Sequence, residues 1–120
     1  MAQYMIFARY APEVLKSLLD DPDGLAARDE HAWQFYGSVG GKVLHWWFIR
    51  DAEYHFAVVV DFPDAEAAHA AIMVGYASGA FTEGKLLALA TQEEAVSALR
   101  RAWSAGRVFY PPGAEGPQHD

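Results

Sequence analysis

The chain contains no cysteine, so disulfides, thiol catalysis and thiolate metal sites are excluded. It is also poor in basic residues, with 9 Lys and Arg against 16 Asp and Glu and a formal net charge of −7. Phosphate contacts need clustered Lys and Arg, so nucleic acid is not an expected partner. The same acidity disfavours docking to an anionic membrane surface. No apolar run reaches the roughly 18–20 residues of a membrane span. Met1-Ala2-Gln3-Tyr4 lacks the basic start and apolar stretch of a signal peptide. A cytoplasmic protein without a membrane partner is therefore the expectation. No GxGxxG or P-loop pattern occurs, and no tandem repeat is visible. What the chain does have is apolar mass: 52% hydrophobic and 14% aromatic over 120 residues. That load excludes a disordered chain, and the length fits one domain.

Residues 3–10 are aromatic and aliphatic and read as a strand. Pro12 suits the first turn of a helix that carries Val14, Leu15, Leu18 and Leu19. Asp21 is a candidate N-cap for a second helix beginning at Pro22. Leu25, Ala32, Tyr36 and Val39 make its apolar stripe, and Gly40-Gly41 stops it. Residues 42–50 and 54–61 read as a hairpin joined by Asp51-Ala52-Glu53. Pro63-Asp64 opens a helix with Ala68, Ile72, Tyr76 and Gly79 on one face. Residues 81–90 read as the last strand. Thr91 and Glu94 have capping-box spacing before a helix bearing Val96, Leu99 and Trp103. Arg100 and Arg101 are placed in its last turn. Arg107 to Tyr110 are apolar enough to pack on the body or on a partner subunit, and the Pro/Gly-rich remainder reads as a mobile tail. The domain is thus drawn as 1–106 and the tail as 107–120. The order β-α-β-β-α-β plus a C-terminal helix is that of an α+β, ferredoxin-like sandwich whose helices cover one sheet face.

A sheet with one wet face should alternate apolar and polar residues, and this hairpin does not. Strict alternation puts Val43, His45, Trp47, Tyr54, Phe56 and Val58 on one face. It puts Leu44, Trp46, Phe48, His55, Val59 and Asp61 on the other. Both sets are mostly apolar, and helices cover only one. Face-to-face homodimerisation, or a higher oligomer, is the simplest way to cover the rest.

At this point the sequence resembles the GYD-domain family, within the dimeric α+β barrel proteins of ferredoxin-like fold. The resemblance covers roughly residues 3–103. It rests on Gly40-Gly41-Lys42-Val43 leading into an aromatic strand, on Ala52-Glu53-Tyr54-His55, on Asp61-Phe62-Pro63-Asp64-Ala65-Glu66-Ala67-Ala68, and on Thr91 to Val96. Tyr54 keeps the signature tyrosine, Ala52 stands where the glycine would be, and His55 replaces the aspartate. The stretch before Glu53 is about one residue longer than the pattern. The resemblance implies a fold and a dimeric habit, and no particular reaction.

His55 stands on an apolar strand and is the best candidate for chemistry, since His works as acid or base near neutral pH. The leading expectation is a homodimer holding a small, partly aromatic molecule under the open sheet face, gripped by Arg9, Trp46, Phe48 and His55. If the faces are inverted, the lining becomes His45, Trp47 and Tyr54. One alternative is a cofactor-free enzyme (proton transfer, isomerisation or oxygenation) with His55 as general base and Asp61 or Tyr54 orienting it. Others are an interaction module without a ligand, and His55 as a hydrogen-bonded structural residue near a strand end. His45 and His55 point to opposite faces, while His31, His69 and His119 are scattered, so no metal or other cofactor is expected. The serines fall on helices without a nucleophile-elbow pattern. Trp33, Tyr36, Tyr76 and Trp103 read as core or interface aromatics.

Overall fold

A computed structural model describes residues 2–114. Its elements run β1 (Ala2–Tyr10), α1 (Pro12–Asp20), a single 3₁₀ turn (Pro22–Leu25), α2 (Ala26–Gly37), β2 (Lys42–Phe48), β3 (Phe56–Phe62), α3 (Ala65–Ala77), β4 (Phe81–Ala88) and α4 (Gln92–Gly106). The four strands form one sheet in the order β2-β3-β1-β4. Every pairing is antiparallel, with Ile6 opposite Val58 and also opposite Leu86. This is the α+β, ferredoxin-like architecture read from the element order.

The chain divides into two compact units, Met1–Leu89 and Ala90–Asp120. The sheet, α1, α2 and α3 make the first unit. Its core is the covered sheet face: Ile6, Ala8, Tyr10, Val43, Phe56, Val58, Val60 and Phe62 cluster with Ala32 and Tyr36 of α2 and Ala68, Ala71 and Ile72 of α3. Val14, Leu15 and Leu18 of α1 lie against that cluster, whereas Leu19 is exposed.

Local chemistry accounts for most of the boundaries. The Asp64 side chain accepts from the Ala67 amide at 2.8 Å and caps α3. Asp21 does not cap a helix: its own amide donates to the Ser17 carbonyl, closing α1, and only a 3₁₀ turn follows. Gly40 takes a left-handed φ of 82°, a conformation that costs glycine no Cβ clash. A Cβ on the next glycine, Gly41, would crowd the side chains of Val60 and Phe62.

Two irregularities decide which side chains face which way. A bulge lies between Val43 and His45, so Val43 opposes Val60 but His45 opposes Val59. The extra residue reverses the alternation in the rest of β2. Trp46 and Phe48 therefore share the covered face with Val58 and Phe56, and His45 and Trp47 share the open face with Val59 and Ala57. The hairpin loop is also longer than expected. Asp51 accepts from the Glu53 and Tyr54 amides at 2.9 and 3.1 Å, forming a local turn that takes Tyr54 out of the ladder. Those two bonds hold the Asp51 carboxyl below its ordinary range.

Taken by itself, the second unit is built on α4. Thr91 and Glu94 form both bonds of the expected capping box. Arg100 and Arg101 are not in the last turn, because the helix continues to Gly106. The guanidinium of Arg107, just beyond, lies 5.4 Å from the Trp103 ring centroid. The Ala114 amide closes a turn onto the Pro111 carbonyl. His119 and the end of the expected tail lie outside the described residues.

Candidate functional site

The expected constellation of Arg9, Trp46, Phe48, His55 and Asp61 does not assemble. Arg9 opposes Glu83 on the open face, while Trp46 stacks on Phe56 beneath the helices. Asp61 is six residues from His55 along one strand and its flank, about 20 Å of extended chain. The bulge explains the separation, since it moved Trp46 and Phe48 to the covered side and left Arg9 and Asp61 on the other.

His55 itself is buried, with its ring stacked against Tyr10 and Phe48 at 6.0 and 6.3 Å. The Tyr10 amide donates to its Nδ1 at 3.0 Å, while the His55 amide donates to the Ala8 carbonyl. The imidazole thus replaces the backbone acceptor missing where the ladder frays. Its Nδ1 lone pair is engaged, which leaves the ring proton on Nε2.

The open face carries the other set of candidates. His45 and Trp47 are stacked at 4.7 Å, and Tyr54 meets Phe7 edge-on at 4.8 Å. Met5, Val59 and Leu87 continue this apolar face. Trp47 is 52% exposed and Leu87 44%. At its far end the Asp61 Oδ1 is buried without a hydrogen-bond partner among the described residues.

The hollow space of the first unit lies on the opposite, helix-covered side. An inner cavity of about 160 Å³ sits between α2, α3 and the sheet. Its walls are mainly apolar, including Ile6, Trp46, Phe56, Ile72 and Phe81. Phe81 takes its place there because Gly75 of α3 has no side chain: a Cβ at Gly75 would overlap the ring. An outer cavity of about 490 Å³ lies beside α1 and is lined by Glu13, Ser17 and Asp21 among others. Tyr10, Arg28 and Ala80 border both spaces.

Tyr10 and Tyr36 bring phenols to this junction. Burial pushes both above the ordinary phenol value, the Tyr36 group furthest, while the Arg28 guanidinium beside them acts in the opposite sense. Among the described residues, no carboxylate lies within ion-pair distance of Arg28. His31 also lines the inner cavity and stacks on Phe35. Arg28 and His31 were not among the residues singled out from sequence. A signal for Arg28 was present, since Arg28, Ala32 and Tyr36 stand at i, i+4 and i+8, on the stripe that α2 turns inward.

A GYD-domain family model matches residues 4–99. The chain belongs to the GYD-domain family. None of the curated proteins and none of the solved structures matches it. In this GYD domain Tyr54 packs on Phe7, and His55 completes the end of β1. Among the described residues no three metal-ligating side chains converge, and no helix is long and apolar enough to cross a membrane.

Proposed function

We propose that the protein is a homodimer that binds a small, partly aromatic molecule, and that this ligand sits between the helices and the sheet. The observation that carries the reading is the pair of cavities meeting at Tyr10 and Arg28. Ligand sites are mostly apolar, with a few polar groups that fix orientation. The inner cavity has that character, and its two phenols and one guanidinium are gathered at one side. Apolar cavities of about 150 Å³ accept a benzene ring, so the inner space matches one ring.

The open face supports the dimer. Its central Val59 is flanked by exposed aromatic and aliphatic side chains, and contiguous patches of this kind mark interfaces. Pairing the face with its own copy covers it and closes the assembly.

The cavity reading is tested with Val74→Trp. Val74 borders the inner cavity yet is half exposed, so an indole there fills space without displacing core. Fragment binding is followed by saturation-transfer NMR with phenol and 2-naphthol as probes. Binding to the unaltered protein and its loss in Val74→Trp, with an unchanged unfolding midpoint, is the expected outcome. Equal binding by both proteins would overturn it.

A further inference from the structure

We infer that the ligand of the inner cavity is a ring bearing a single negative charge, such as an aromatic carboxylate, with its anionic group at Arg28 and its ring among Trp46, Phe56 and Phe81. The inference rests on the cavity reading above and specifies the class of molecule. Arg28 is exposed, one turn before the buried Ala32 of α2, and borders the place where the two cavities meet. It has no ion-pair partner among the described residues, so its charge is available to a ligand. Tyr10 and Tyr36 present hydroxyl groups at the same junction, and phenols are protonated at neutral pH. A guanidinium and two phenols are donors suited to a carboxylate.

The outer cavity sets the limit on charge. Glu13 and Asp21 line it, and Arg28 is its single cationic lining residue. A second anionic group directed outward would meet two carboxylates at close range, and like charges there oppose binding. Dianionic rings and nucleotide polyphosphates are therefore excluded on electrostatic grounds, while a neutral or hydroxylated outer end is accepted. Arg28 is itself solvent-exposed, so its preference is moderated by screening.

Benzoate, benzamide and phthalate separate the possibilities, with affinities measured by titration calorimetry at fixed ionic strength. Benzoate should bind about threefold to tenfold more tightly than benzamide, the range set by a charged hydrogen bond at an exposed position. Arg28→Gln should remove that difference, and an unchanged urea midpoint shows that the variant is folded. Phthalate should bind more weakly than benzoate, and Glu13→Gln with Asp21→Asn should narrow that gap. Equal binding of benzoate and benzamide to the unaltered protein overturns the charge assignment and leaves the cavity reading standing. Failure of all three rings to bind overturns both. A benzoate preference that persists in Arg28→Gln overturns the role given to Arg28.

Discussion

His55 holds the end of β1 through a single side-chain acceptor, and this makes its replacement informative. His55→Ala leaves the buried Tyr10 amide without a partner, a loss of about 1–3 kcal/mol. His55→Asn should recover much of it, because an Asn oxygen falls near the position of Nδ1, whereas His55→Gln places its oxygen too far out. Urea denaturation of the three variants measures this, and equal stability of Asn and Gln would refute the acceptor role. The residue types of the candidate site were legible beforehand, as aromatics with one arginine and one histidine. Their identities were not. Arg9 lies in an apolar run and Arg28 beside Asp29 and Glu30, and only the third dimension shows which of them borders a cavity. His55 was legible as a polar group needing satisfaction, but its partner is a backbone amide 45 positions away in sequence.

The helices and strands were read correctly from periodicity where one face dominates, as in β1, β4 and α3. Reading failed where periodicity was interrupted. The bulge in β2 adds one residue without any glycine or proline to announce it, since Leu44 is an ordinary strand residue. Strict alternation then assigned Trp46 and Phe48 to the wrong face. Asp51 likewise looked like a short connector, yet its carboxylate organises a longer loop. The α3–β4 contact gives a prediction at this level. Gly75→Ala forces the Phe81 ring to move, an overpacking that costs about 1–3 kcal/mol. The better helix propensity of alanine returns up to about 1 kcal/mol. A net fall in the urea midpoint is expected, and a rise would show that Phe81 repacks freely.

The chain is acidic, and several of its aromatic side chains, Trp33 and Trp47 among them, are exposed. In the first unit α2 and α3 cover one sheet face, while Phe7, Trp47 and Leu87 lie on the other. Light scattering at micromolar concentration should find the unaltered protein dimeric. Trp47→Glu should make it monomeric, because the charge enters an apolar interface from a side chain already half exposed in the single chain. A dimer unaffected by Trp47→Glu would move the interface away from this face. Asp61, with its unpartnered oxygen, lies at the edge of the same face.

The bulge at Leu44 finally bears on how such a domain changes over generations. Upstream of it, Val43 faces the core; downstream, the ladder resumes as if Leu44 were absent, with His45 opposite Val59. Removing that residue would leave Val43 opposite Val60 and His45 opposite Val59 in an unbroken ladder, so both rows would keep their faces. A lineage carrying this fold can thus gain or lose one codon here without exchanging its cavity wall for its open face.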